Sequence, residues 1–221
     1  YPDLFVTSDL PIDVLYRNNG DGTFTDATQE AGLCVYSTGM GVSVADYDNN
    51  GYFDIYVAND ASVFDLPRNY ASKNYLWRNN GNGTFSEIAD KVGAGGYGRG
   101  WGTIFFDYNN DGMADIYVAN GIMEEVSPRK NRDILFRNAG DGTFVNASDD
   151  AGIYGAESTG GVAVGDYNND GFADIFVVLR GGVQQQTDRN RLYKNEGNSD
   201  AWLTVKLVGT RSNRDGVGAK V

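Results

Sequence analysis

The sequence predicts an all-β fold: four-stranded antiparallel blades repeated about every 60 residues, as a β-propeller or an open stack of propeller-like blades. Three observations predict it. An acidic loop recurs in step with a second, glycine-rich segment. The residues between them are β-branched and aromatic, and helical periodicity is absent over most of the chain.

The acidic segment reads DYDNNGYFDIYVAN from Asp46, DYNNDGMADIYVAN from Asp107 and DYNNDGFADIFVVL from Asp166, so its copies begin 61 and then 59 residues apart. The second segment reads LYRNNGDGTF from Leu15, LWRNNGNGTF from Leu76 and LFRNAGDGTF from Leu135, with a weaker copy, LYKNEGNSDAWL, from Leu192. Two motifs in one register define a repeat. Within it, strand a precedes the acidic loop (GVSVAD, GTIFFD, GVAVGD) and strand b follows it (DIYVAN, DIYVAN, DIFVVL). Strand c is NYLWRN and its equivalents, and strand d is GTFSEI and its equivalents. The Asn-Gly and Asp-Gly pairs between c and d supply the positive φ that a tight hairpin needs. Short helical turns are expected over Ala27–Gly32, Ile88–Val92 and Ala147–Gly152.

Residues 1–200 then divide into a partial unit, 1–38, and units 39–98, 99–157 and 158–200, followed by a C-terminal strand segment, 201–221. The opening YPDLFVTS matches strand b with the tail of its loop, which aligns Asp3 with Asp54. The chain is thus one strand a short of four complete blades. That strand is expected from the C-terminal tail, from a preceding segment or from another subunit. A single blade cannot bury both faces, so neighbours must stack.

The acidic loop has the form D-x-[DN]-x-[DN]-G-x-x-D. Calcium takes about six to eight oxygen ligands in flexible geometry, and alternate residues of a curling loop turn their oxygens toward one centre. The first loop offers Asp46, Asp48, Asn50, the Tyr52 carbonyl and Asp54. The second offers Asp107, Asn109, Asp111, the Met113 carbonyl and Asp115. The third offers Asp166, Asn168, Asp170, the Phe172 carbonyl and Asp174. Each loop carries three aspartates, whose mutual repulsion a divalent cation would relieve. About three Ca²⁺ ions are expected, with metal binding coupled to folding. A plain Asx-rich turn is the bland alternative. Magnesium is the lesser one, since it demands strict octahedral geometry. An EF-hand does not fit. Its twelfth position should be Glu and here is Val57, Val118 and Val177, and its flanks should be helices.

Composition narrows the function. The net charge of −12 makes nucleic acid and anionic membranes poor partners. No apolar run is long enough for a transmembrane segment. Tyr1 is an improbable translation start, so a processed or truncated N-terminus is expected. The absence of histidine removes Ser-His-Asp and Cys-His catalysis. Cys34 is the only cysteine, which excludes an intrachain disulfide, and it reads as a packed thiol. The recurring aromatics (Tyr16, Trp77, Phe136 and Tyr193; Phe24, Phe85 and Phe144) read as inter-blade packing rather than a sugar platform. Arg17, Arg78, Arg137 and Lys194 read as structural partners of loop carboxylates.

These motifs resemble the FG-GAP/VCBS repeats of integrin-α-type β-propellers, the RNNGDGTF segment being typical of bacterial VCBS-like members. The ending WLTVKLVGTRSNRDGVGAKV looks like the start of an ASPIC/UnbV domain. The resemblance implies a calcium-stabilised propeller at an extracellular or cell-surface location, with an adhesive rather than enzymatic role. Integrin-type propellers close with seven blades, and this chain has fewer than four. The expected partners are a surface protein or glycan, or copies of the chain itself as a homo-oligomer or polymer. Recognition is expected on the face opposite the metals, over Asp60–Lys73, Gly121–Asp133 and Arg180–Asn190, with Arg129, Lys130 and Arg132 as candidate contacts. Two alternatives stand beside the adhesive module: a subunit that self-assembles by strand exchange, and a calcium-dependent polysaccharide lyase.

Overall fold

The structure, a computed structural model, describes residues 1–9, 11–60, 73–96, 98–121, 132–153, 158–179 and 189–198. Four antiparallel meanders follow one another along the chain. The first contains β1 (Leu4–Val6), β2 (Val14–Asn18) and β3 (Phe24–Asp26). The second contains β4 (Gly39–Ala45), β5 (Asp54–Asn59), β6 (Tyr75–Asn79) and β7 (Phe85–Glu87). The third contains β8 (Arg99–Phe106), β9 (Asp115–Gly121), β10 (Ile134–Asn138) and β11 (Phe144–Asn146). The fourth contains β12 (Thr159–Gly165), β13 (Asp174–Leu179) and β14 (Arg191–Tyr193). Among the described residues the first sheet has no strand a. The strand expected after β14, with the segment 201–221, lies outside the described residues.

Registers repeat from sheet to sheet, with Ile55 opposite Trp77, Ile116 opposite Phe136 and Ile175 opposite Tyr193. The core lies between successive sheets. Tyr56, Ala58 and Leu76 of one sheet pack on Ile116, Val118 and Phe136 of the next. Tyr117, Ala119 and Leu135 pack in turn on Ile175 and Val177. Strand b, buried on both sides in the middle sheets, therefore reads as a continuous apolar run. Among the described residues the sheets stack without closing into a ring.

Strand a is longer than the sequence suggested and carries an irregularity in every copy, at Gly39/Gly41, Gly100/Gly102 and Thr159/Gly161. Glycine has a steric reason there. A Cβ on Gly41 would sit 2.5 Å from the Trp101 carbonyl, and one on Gly102 would sit 2.7 Å from the Gly160 carbonyl. Neighbouring a strands thus approach backbone to backbone, which holds adjacent acidic loops side by side.

Of the expected helical turns, Ile88–Val92 forms α1 (Ala89–Val92), stopped by Gly93 at φ 82°. The other two are single turns closed by Ala31 N–H to the Ala27 carbonyl and Ala151 N–H to the Ala147 carbonyl. Trp77, Phe136 and Phe144 are buried between blades, but Phe24 is exposed, since no sheet among the described residues packs on that side of the first. Cys34 is also exposed rather than packed: Leu33 beside it takes the core position. Most of the three variable segments, including Arg129 and Lys130, lies outside the described residues. Arg132 pairs with Asp149 at 3.4 Å.

Candidate metal centre

Each acidic loop joins strands a and b and bends in the same way. Its fourth residue, Asn49, Asn110 or Asn169, is left-handed at φ 54°, 58° and 59°, and the glycine after the fifth follows at φ 91°, 82° and 91°. The first aspartate fixes this bend. Asp46 accepts from Asn50 N–H at 2.9 Å and Gly51 N–H at 2.8 Å. Asp107 accepts from Asp111 and Gly112 N–H, and Asp166 accepts from Asp170 and Gly171 N–H. The fifth residue accepts from the seventh: Asn50 from Tyr52 N–H, Asp111 from Met113 N–H and Asp170 from Phe172 N–H.

The ninth residue closes each loop from strand b. Asp54 accepts from Tyr47 N–H at 3.2 Å and Asn79 N–H at 2.8 Å. Asp115 accepts from Tyr108 N–H at 3.0 Å and Asn138 N–H at 2.7 Å. Asp174 accepts from Tyr167 N–H at 3.0 Å and Asn195 N–H at 2.8 Å. Asp3 accepts from Asn18 N–H at 2.8 Å, the bond that Asp54, Asp115 and Asp174 accept from the equivalent asparagines of their own blades. The asparagine at the end of strand c, or two residues past it in the fourth unit, thus serves all four units. It was visible in the RNNG motif, but nothing local in the sequence gives its partner.

The loops differ at the third position. In the first, Asp46, Asp48 and Asp54 bring one carboxylate oxygen each within 4.8 Å of one another, the only such group of three acidic residues among those described. Arg78 Nε holds Asp48 Oδ2 at 2.7 Å, and Asp48 Oδ1 is buried without a hydrogen-bond partner. In the second and third loops the residue is asparagine, and its amide donates to the fifth-position aspartate: Asn109 to Asp111 at 2.9 Å and Asn168 to Asp170 at 2.6 Å. Asn109 Oδ1 is likewise buried and unpartnered. Of the expected carboxylate partners, Arg78 meets Asp48, and Lys194 lies close enough to act electrostatically on Asp170. Arg17 pairs instead with Glu30, outside the loops.

Burial raises two closing carboxylates, and their acidic neighbours add to it: Asp54 is pushed up to about 6 and Asp115 to about 7. A buried oxygen with no partner is costly, and both such side-chain atoms among the described residues occupy the third loop position. Clustered carboxylates, side-chain oxygens without donors and no sulfur or imidazole make a donor set that fits a hard divalent cation of the calcium type. The seventh residue also packs against the hairpin of its own blade. Gly81, at φ 74°, would place a Cβ 2.7 Å from the Tyr52 ring, and Phe172 sits likewise against Gly197.

On the other side of the blades, a buried network ties sheets together. Asp133 accepts from Tyr117 OH at 2.6 Å, Asn120 N–H at 2.8 Å and the Thr159 hydroxyl. Asp13 and Asn59 meet through the Ser37 hydroxyl at 2.8 and 2.9 Å. Sequence reasoning missed this network. Its signal is the Asp or Asn just before strand c: Asp13, Asn74, Asp133 and Asn190.

Curated relatives share the whole region. The chain is 30% identical over 224 residues to cartilage acidic protein 1 of Homo sapiens and 28% identical over 230 residues to that of Xenopus tropicalis. Each alignment covers 99% of this chain and 32% of the relative, so the chain spans about a third of their length. The Mus musculus protein is 29% identical over 172 residues. The FG-GAP-like repeat matches three times, at residues 1–57, 61–118 and 119–177, each match ending inside or at the close of a unit's apolar strand b. With three matches over most of its length and the stacked four-stranded sheets to go with them, the chain belongs to the FG-GAP-like repeat family.

Proposed function

We propose that this chain is a calcium-stabilised, non-catalytic repeat module that works outside the cell by binding a surface protein or glycan. The observation that carries the metal reading is the pair of buried, unpartnered oxygens on Asp48 and Asn109, both at the third position of acidic loops. Asp46, Asp48, Asn50, Asp54 and the Tyr52 carbonyl would hold the first ion. Asp107, Asn109, Asp111, Asp115 and the Met113 carbonyl would hold the second. Asp166, Asn168, Asp170, Asp174 and the Phe172 carbonyl would hold the third.

The ion's chemistry is structural: it neutralises a loop of formal charge −3 and fixes the strand a to strand b connection. Family membership supports an interaction role, and the relatives' name supports an extracellular one, since cartilage is mainly extracellular matrix. No helix among the described residues is long and apolar enough to cross a membrane. Calorimetric titration of the chelator-treated chain with calcium tests the metal reading. Saturable binding near three ions per chain is the expected result, and no binding at millimolar calcium would end it.

A second reading, association between copies, is favoured by one observation. The outer face of the last sheet exposes Phe176, Val178 and Leu192, and the first sheet exposes Leu4, Val6 and Phe24. Their counterparts in the middle sheets are mostly buried against a neighbouring blade. Sedimentation over a range of concentrations tests it: a monomer throughout refutes it.

A further inference from the structure

The three acidic loops are joined by a continuous hydrogen-bond relay. Tyr47 N–H holds Asp54, the closing carboxylate of the first loop, at 3.2 Å. The carbonyl of the same Tyr47 accepts from Asn138 Nδ2 of the next blade at 2.9 Å. Asn138 N–H in turn holds Asp115, the closing carboxylate of the second loop, at 2.7 Å. The arrangement repeats one blade on. Tyr108 N–H holds Asp115, the Tyr108 carbonyl accepts from Asn195 Nδ2 at 2.7 Å, and Asn195 N–H holds Asp174 at 2.8 Å. Asn138 is nearly fully buried. A second set of bonds runs alongside: Asn49 Nδ2 reaches the Gly112 carbonyl at 3.4 Å and Met113 Sδ at 3.1 Å, and Asn110 Nδ2 reaches the Gly171 carbonyl at 3.0 Å. These asparagines are the left-handed residues at the bends of their own loops.

We infer that Asn138 and Asn195 are positioning residues that couple adjacent acidic loops, so that the three calcium ions bind with positive cooperativity. This rests on the calcium reading above. An ion in one loop immobilises its closing aspartate, the tyrosine whose N–H that aspartate accepts, and the asparagine bonded to the same tyrosine's carbonyl. The same asparagine presents its N–H to the next closing aspartate, so the neighbouring loop has less ordering left to do. Repulsion between bound cations opposes this, but ionic strength near physiological screens exposed charges beyond about 8 Å, whereas the relay is direct. Asn79 N–H likewise holds Asp54, and its Nδ2 bonds the Phe53 carbonyl of its own blade, as Asn138 and Asn195 bond Ala114 and Ala173, but among the described residues it links none of the three loops to another.

The test is calcium titration of the full chain by calorimetry in salt near physiological strength, with hydrogen exchange at the loop amides read in parallel. The unmodified chain is expected to bind about three ions with a Hill coefficient clearly above 1. Disabling the first loop with Asp46→Asn is expected to weaken binding at the second loop by about five-fold or more, within the usual range of coupling between sites. In an Asn49→Ala, Asn138→Ala background, which removes both sets of bonds between these loops, the same substitution should change it by less than about two-fold, and Asn138→Ala alone should give a clearly smaller effect than the parent. Asn195→Ala, at a less buried site, removes the second-to-third relay bond and should lower the effect of Asp107→Asn on the third loop if Asn138→Ala does not fold. Asn79→Ala should leave the coupling intact. Three ions bound with a Hill coefficient of 1, or equal loss of coupling in Asn79→Ala, overturns the relay and leaves the calcium sites standing. No calcium bound at all overturns the calcium reading and the relay with it.

Discussion

Asp115→Asn should change the stability of this chain in opposite directions with and without calcium. Asp115 is fully buried, and its two oxygens accept from the backbone N–H groups of Tyr108 and Asn138. Burial holds its carboxyl at about 7 against an ordinary value of 3.8. At pH 8 and without metal, keeping it ionised costs the folded chain about 4 kcal/mol, at about 1.36 kcal/mol for each tenfold change in proton affinity. Asparagine removes that cost. It can accept from only one of the two N–H groups, and the donor left over takes back about 1–3 kcal/mol. The metal-free variant should therefore be more stable than the parent by about 1–3 kcal/mol. A chain of this length melts about 2–4 °C higher per kcal/mol, so its Tm in chelator should rise by several degrees.

With calcium about a thousand-fold above its Kd, the second loop's ion contributes about 4 kcal/mol to the parent. The variant forfeits most of this and should melt below the parent by an amount matching a net loss of about 1–3 kcal/mol. Thermal unfolding of both proteins in chelator and in calcium is the assay. A shift of the same sign in both conditions would refute the reasoning.

Three other outcomes are expected. Asp54 and Asp115 lie near 6 and 7 when folded and near 3.8 when unfolded, so the folded metal-free chain binds more protons between those limits. Its stability should therefore fall as pH rises from about 4 to about 7 and then level off, while calcium affinity should rise over pH 5.5–7.5; chelator melts and calcium titrations at several pH values check both signs. Tyr117→Phe removes the 2.6 Å hydrogen bond to buried Asp133 and should cost about 1.5–3 kcal/mol by denaturant unfolding, to the same extent with and without calcium. Gly81→Ala forces a side chain to φ 74° and against the Tyr52 ring, and should destabilise by at least about 1 kcal/mol, whereas Gly22→Ala meets no atom within 4 Å and should cost only its backbone strain at φ 90°.

The blades were legible because two motifs keep one spacing, and because DIYVAN, apolar on both sides, suits a strand sandwiched between neighbours. The loops were legible because side-chain type at every second position reflects a local bend; the Asn50-to-Asp46 and Tyr52-to-Asn50 bonds span only four and two residues. What stayed hidden depends on stacking. Asn138 reaches Tyr47 across 91 residues, and Thr159 reaches Asp133 across 26, pairings that no local pattern encodes. Phe24 is exposed although its repeat position matches buried Phe144, because no sheet among the described residues packs on its side of the first. Cys34 was misread for a similar reason. In the turn after sheet one, Leu33 faces the core and the next residue must face water.

Metal stoichiometry tests the central claim most directly. The chain is equilibrated with limiting and excess calcium, freed of loose ions and analysed by native mass spectrometry, beside Asp46→Asn, Asp107→Asn and Asp166→Asn. The account predicts about three calcium ions in the parent and one fewer in each variant. A parent that carries no calcium, or variants that all retain the parent's number, would contradict it.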